Sequence, residues 1–362
     1  MVDSLRGGLV VAPSNAAVAN AALKLLSLGR FDARSVVIYG ENCDDAVHFL
    51  SPGHRYKRFL SFKKEYESLQ GKTEKQVDMF SAFVQWLRLD QEVTFPDLES
   101  ICKRVDDTPK GQQALVDFID KAKVVLCTMN TAGSHFIRQA VRGKFDTLFI
   151  DEAAQIPETE FYIATSFPGV KRIVLVGDPM QLGATVINID CESAGYGESW
   201  FSHVMDVHPH KVHLLNVQYR CDQRIMQFSN INFYESAVRT SRSVIDRQPV
   251  FQHAIGWINT FPNGEEESVG TSYRNNFEAE SVRRLLCSDD DIKLLIAQCK
   301  HPAIIVITPY RAQVDLLKKE LSKVKSLEYV RVATVDSFQG QEGDIVIVST
   351  VVSLIYFLLV IS

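Results

Sequence analysis

Short apolar runs separated by polar turns recur along the chain, and their lengths and flanks predict its elements. Residues 9–12, 35–39 and 123–127 read as strands, while 16–26, rich in alanine and preceded by Ser14 and Asn15 as capping residues, reads as a helix. From 44 to 121 the apolar positions Phe80, Phe83, Val84, Leu87 and Leu89 are spaced among Lys, Arg, Glu and Asp, which predicts a helical insertion. Two further runs, 147–150 and 173–176, each have the length of a buried parallel strand and each end abruptly in acidic residues. The second half repeats the alternation, with strands expected at 211–216, 303–307, 330–334 and 345–351 and helices at 222–234, 276–287 and 311–323. Such alternation is the mark of an α/β fold built on parallel sheets. Two such blocks predict two domains, 1–191 (carrying the insertion) and 192–351, followed by a hydrophobic tail, 352–362.

Composition narrows the function classes. With 362 residues, 46% hydrophobic and 23% charged, the chain can bury a large core. Its net charge of −5 excludes a uniformly basic surface, so any nucleic-acid contact has to come from a local patch. The cysteines (Cys43, Cys102, Cys127, Cys191, Cys221, Cys287 and Cys299) are scattered with no CxxC, which argues against a zinc module or a disulfide scaffold and for a reduced intracellular compartment, cytoplasmic or nuclear. The N-terminus has no secretory pattern. A basic and aromatic run at 54–64, HRYKRFLSFKK, could be a strand-binding patch or one face of an amphipathic helix, and the helix is the favoured reading.

The acids after the two central runs carry the candidate chemistry. Carboxylates at the carboxyl end of a buried strand are costly to desolvate unless something positive sits opposite them. A magnesium nucleotide is such a partner, and the carboxyl edge of an α/β sheet is where ligands bind. Taken in order, the strings APSNAAV, DEAAQ, GDPMQL, VQYR, GTSYRNNFEAESV, ITPYRAQVDLL and VATVDSFQGQEGDIVIVS resemble the motifs of superfamily 1 helicases, closest to the branch containing the nonsense-mediated-decay helicase and senataxin.

That resemblance implies two RecA-like parallel-sheet domains of the P-loop NTPase type, with ATP and Mg²⁺ bound between them and a single nucleic-acid strand crossing the top. By resemblance Asp151 organises the Mg²⁺, through water, and Glu152 is the catalytic carboxylate that positions and deprotonates the attacking water. Gln181 resembles the γ-phosphate sensor, and Arg220 resembles the arginine that meets the transferred phosphoryl group. Tyr219 would stack on adenine, and Gly340 and Glu342 would lie near the nucleotide. Strand contacts would come from Pro13, Ser14, Asn15, Thr128, Ser134, Tyr310, Arg311, Thr334 and Ser337, whose hydroxyls and turn amides suit phosphate oxygens and carry no base information. The same hydroxyls could be turn formers alone.

The sequence also departs from the resemblance. No G-x-x-x-x-G-K-[ST] loop precedes the APSN segment, and Gly71-Lys72-Thr73 is a decoy because Tyr66 stands where the first glycine is required. After residue 353 the chain runs LIYFLLVIS instead of into a motif bearing an arginine finger. These departures predict a fragment of an ATP-dependent helicase or translocase acting on single-stranded RNA or DNA, RNA slightly favoured, and inactive by itself. The alternative is a non-hydrolysing nucleic-acid-binding relic, or a regulatory decoy of an intact helicase. For the uncharged stretch 345–362, an extension of the preceding strand is preferred over a membrane anchor.

Overall fold

A computed structural model describes residues 7–40, 45–69, 73–86, 94, 119, 122–247, 254–260, 264–288, 303–352 and 357–361. The chain divides into two compact units, Met1–Val212 and His213–Ser362.

The first unit holds a five-stranded, wholly parallel sheet of β1 (Gly8–Ala12), β2 (Val36–Ile38), β3 (Val124–Thr128), β4 (Thr147–Ile150) and β5 (Arg172–Leu175), in the order β2-β3-β1-β4-β5. Strand alternation sorts its apolar residues between two faces. Leu9, Val11, Val125, Cys127, Leu148 and Ile150 join one core cluster with Met129, Ile137 and Phe161. Val10, Ala12, Val124 and Leu126 join another against Val18, Ala19 and Ala22 of helix α1 (Asn15–Ser27). Burial is complete enough to push the Cys127 thiol up to about 12.

Helices α2 (Pro52–Ser68) and α3 (Thr73–Trp86) lie between β2 and β3 in the chain. The basic and aromatic run falls on α2, and three of its members face inward: Phe59 and Phe62 are buried, and so is Arg55, whose guanidinium donates to the carbonyls of Phe49 and Ala33. This is the amphipathic helix, with the long side chains of the opposite face left in water. The decoy Gly71 and Lys72 lie outside the described residues, as do Leu87 and Leu89 of the insertion.

Two expectations from the apolar pattern are corrected. The run before Gly177 forms β5, but that strand is not buried: it ends the sheet order, and Ile173 and Val174 are 39% and 36% exposed where β4's Leu148 and Ile150 are at 0%. Its length is that of a core strand, but it has a neighbour on one side only. The strand expected at 211–216 does not form, and Leu214 and Leu215 there are exposed. An apolar run needs a partner ladder to become a strand, and here the only pairing nearby is the two-residue ribbon of β6 (Val217–Gln218) with β7 (Arg239–Thr240).

The second unit holds β8 (Ile255–Ile258), β11 (Ile304–Thr308), β12 (Arg331–Thr334), β13 (Ile345–Val348) and β14 (Phe357–Ile361) in the order β12-β11-β13-β14-β8, with a small antiparallel ribbon of β9 (Glu267–Val269) and β10 (Ser272–Arg274). Strands β12, β11 and β13 are parallel, and Ile304, Val306, Ile345 and Ile347 pack against Ala279, Val282 and Leu286 of the helix Asn276–Ser288 and against Leu317 and Leu321 of the helix Arg311–Leu321. The apolar tail is not an extension of β13. Strand β13 stops at Val348, and β14 returns antiparallel between β13 and β8, pairing Ile345 with Ile361 on one side and Phe357 with Ile258 on the other. Among the described residues no helix is long and apolar enough to cross a membrane.

Candidate functional site

The acids that follow β4 sit at the carboxyl edge of the first sheet. Register pairs Ile150 with Leu175, so Asp151 and Val176 leave adjacent strands side by side, and the bond from Val176 N to Ile150 O (2.8 Å) extends the ladder past the strand ends. The chain after Asp151 turns through Glu152, whose φ of 51° and ψ of 40° place a non-glycine residue in the left-handed region. Strain of that kind costs of order 1 kcal/mol or more and persists only where the surroundings enforce it. Here the enforcement is visible: Ala153 N donates to Val176 O at 2.8 Å, and a Cβ on Gly177 would lie 3.0 Å from both Ala153 N and Ala154 N. The DEAAQ turn and the GDPMQ turn therefore pack backbone to backbone, and a side chain at 177 would force the Ala153–Ala154 backbone to give way.

Within those turns the polar groups are aimed by short-range bonds. Glu152 N donates to Asp151 Oδ1 (3.1 Å), and Gln155 Nε2 donates to Glu152 Oε2 (3.0 Å). Met180 N donates to Asp178 Oδ1 (3.0 Å), and Gln181 Nε2 donates to Asp178 Oδ2 (2.9 Å). Asp178 thus orients the Gln181 amide. The sequence reading noted this acid after the second apolar run without giving it a role, although an Asp opening the turn D-P-M-Q is the signature of a side chain that folds back on its own backbone. Asp151 lines a cavity of about 410 Å³, with Gly8, Val10, Lys24 and Val176 among the other residues around it. Burial raises its carboxyl above the usual range, a cost that a cation would offset.

In the second unit, two predicted nucleotide residues meet although they lie far apart in sequence: Arg220 Nε donates to Glu342 Oε1 at 2.8 Å, and both remain exposed. Tyr219 is 63% exposed. Arg247 fixes this turn by donating to the carbonyls of Tyr219 and Arg220, each at 3.1 Å. No spacing in the sequence pointed to Arg247. Gly340 is exposed at φ +75°, two residues before Glu342.

The hydroxyl residues expected to touch a strand stand in helix-capping motifs: Ser14, Thr128 and Thr334 at or just after strand ends, Ser134 after a short helix, and Ser337 as the partner of Thr334. Ser14 accepts from Ala17 N at 3.1 Å at the start of α1, with Pro13 and Asn15 beside it. Thr128, which ends β3, accepts from Thr131 N (3.2 Å), and Ser134 accepts from Ile137 N (3.4 Å). Thr334 and Ser337 form a reciprocal capping box after β12. Tyr310 opens the helix Arg311–Leu321 without a side-chain cap bond, and Arg311 is exposed beside Asp315 at 3.7 Å. Capping accounts structurally for each hydroxyl, and it leaves the group at the carboxyl edge of its own sheet.

Sequence reasoning also missed what secures that edge in the second unit. Glu278 is fully buried and its carboxylate accepts from Ser349 Oγ at 2.6 Å and from Val351 N at 3.0 Å. Gln313 Nε2 donates to Ser349 Oγ (2.9 Å), Gln313 Oε1 accepts from Asn275 N (2.8 Å), and Asn275 Nδ2 donates to Val351 O (3.1 Å). Burial raises the Glu278 carboxyl despite these donors. Val351, three residues past the end of β13, is held at φ 70°.

The AAA domain family matches residues 6–189, and a second AAA domain family matches 196–354. The chain is 31% identical to the ATP-dependent helicase NAM7 of Saccharomyces cerevisiae over 95% of its own length and 33% of that protein's. It is 29% identical to the regulator of nonsense transcripts 1 homolog of Neurospora crassa, over 95% of this chain and 30% of that protein. With helicase sen1 of Schizosaccharomyces pombe the identity is 30%, over 69% of this chain and 15% of that protein. The chain thus spans about a third or less of the length of these curated relatives. Matched over both α/β units and across nearly its whole length, the chain belongs to the AAA-domain superfamily 1 helicases of the nonsense-transcript-regulator and Sen1-like branch.

Proposed function

We propose that this chain is the motor portion of an ATP-dependent helicase or translocase that moves on single-stranded nucleic acid, with RNA slightly favoured over DNA. The observation that carries the reading is the Asp151-Glu152 turn, strained and locked against Gly177 at the carboxyl edge of β4. Asp151, buried enough to favour a counter-charge, would hold Mg²⁺ through water. Among the described residues no three His, Cys, Asp or Glu side chains gather as a metal cage, which suits an ion that arrives with a nucleotide and keeps most of its ligands from phosphate and water. When bound, that ion supplies charge neutralisation for phosphoryl transfer. Glu152, aimed by the Gln155 amide, accepts the proton of the attacking water, and Gln181, aimed by Asp178, senses the terminal phosphate. Arg220 is the second unit's candidate for phosphate charge, its backbone fastened by Arg247, with Tyr219 as the stacking ring and Gly340 and Glu342 beside the nucleotide. Ser14, Thr128, Ser134, Thr334 and Ser337, with Pro13, Asn15, Tyr310 and Arg311, contact the strand backbone.

The alternative is a non-hydrolysing strand binder, or a regulatory decoy of an intact helicase. The two are separated by strand-stimulated ATP hydrolysis, measured on this chain and on the longest open reading frame that contains it. In whichever form hydrolyses ATP, Glu152→Gln should cut turnover by roughly 10²-fold or more while nucleotide binding persists. Unchanged turnover removes Glu152 from the mechanism, and no hydrolysis in either form favours the binder.

A further inference from the structure

Tyr273 belongs to β10 in the small ribbon of the second unit, inside the string GTSYRNNFEAESV, none of whose residues was given a role above. Its ring meets that of Tyr310 nearly edge to face, with centroids 5.4 Å apart and planes at 74°. Tyr310 comes two residues after β11 ends, and register aligns Thr308 of β11 with Thr334 of β12, so the two rings share the carboxyl edge that carries Thr334 and Ser337. The ribbon is fastened on both sides of Tyr273. Ser272 Oγ accepts from Ala312 N at 3.1 Å, and Asn275 N donates to Gln313 Oε1 at 2.8 Å, both in the first turn of the helix Arg311–Leu321. Yet Tyr273 itself stays 42% exposed, while Asn275, two residues on, is fully buried.

A large ring held this firmly and left wet forgoes the gain of burial, which is the condition of a surface kept open for a ligand. The edge-to-face contact with Tyr310 braces the Tyr273 ring and still leaves the residue 42% exposed. The neighbouring Arg311, exposed and only loosely paired at 3.7 Å, supplies positive charge. A braced, partly exposed ring, a cation and neighbouring hydroxyls together fit one chemistry, an unpaired nucleobase whose backbone runs beside it. We infer that Tyr273, buttressed by Tyr310, is a base-stacking platform for a single strand. This deepens the proposed function and rests on its strand-binding reading. The ligand chemistry is the π-face of the base, common to RNA and DNA, so the platform itself is tolerant of sequence and sugar.

The test is fluorescence anisotropy of the full chain with labelled oligouridylate and oligothymidylate, each also prepared with abasic sites. Tyr273→Ala should weaken binding of the intact strands about 5- to 150-fold, the range for one stacked base, and equally for RNA and DNA. Tyr273→Trp should bind within about twofold of the parent, and on abasic strands the parent and Tyr273→Ala should bind alike. Tyr273→Leu, which keeps apolar bulk without a π-face, should lose affinity like the alanine variant, and serves if the latter fails to fold. The inference is overturned by parental affinity in Tyr273→Leu, by an equal loss on abasic strands, or by failure of tryptophan to restore binding. If the parent chain binds neither oligonucleotide, the strand-binding reading falls and takes the platform with it. If the parent binds and the leucine variant binds equally well, only the platform falls.

Discussion

The acids after β4 and β5 are aimed by bonds reaching one to three residues along the chain, whereas the corresponding edge of the second sheet is tied by bonds spanning 27 to 122 residues. The first unit makes its edge from two tight turns pressed together at Gly177. The second makes its edge from a buried polar cluster, Glu278, Ser349, Gln313 and Asn275, and from Arg247 and Glu342 reaching back to the Tyr219-Arg220 turn. Local turns position groups that must respond to a small ligand, since they can shift without unpacking a core. Long-range ties fix a surface whose parts come from distant stretches of chain.

The largest test of this contrast is Glu278→Ala. It strands the Ser349 hydroxyl and the Val351 N–H in the core at roughly 1–3 kcal/mol each, so the second unit should lose about 2–5 kcal/mol, read as lost hydrogen-exchange protection in β11 and β13 with β1 and β4 unaffected. A loss spread evenly over both units would break the comparison. Gly177→Ala comes next, at about 1–3 kcal/mol from the clash with Ala153 N and Ala154 N, and should loosen β4 and β5 alone. The smallest effect is Asp151→Asn. Burial raises the folded-state carboxyl pKa of Asp151, so folding takes up a proton between the unfolded and folded values. Its contribution is therefore most favourable below the unfolded pKa and declines as pH rises through the folded pKa. The asparagine variant should be modestly more stable than the parent at neutral pH, by thermal melting, and the gain should vanish in acid. A gain that grows in acid would mean that something other than burial sets this carboxyl.

Much of the first sheet was legible because its strands are apolar runs closed by polar turns: β1, β3 and β4 lie where the pattern put them, and Asp151 and Glu152 where the acids implied. Strand β5 had the same pattern and a different environment, because a run of four apolar residues does not record whether a neighbour lies on both sides. The run at 211–216 misled for a related reason: apolar content drives a strand only where a ladder accepts it. Arg247 was invisible, and Asn275 and Gln313 lay inside quoted strings with no role, since bonds across 28 to 76 residues leave no period in the sequence. The tail was misread in direction: its apolar residues continue those of β13 in composition, but they pair with β13 antiparallel as β14.

That returning strand bears on how the protein is made. Strand β8 reaches β13 only through β14, so its place in the sheet stays vacant while roughly a hundred further residues are synthesised, several seconds or more at cellular elongation rates. During that interval β8 stays on the ribosome-bound chain as an unpaired strand, the kind of surface that a holding chaperone covers.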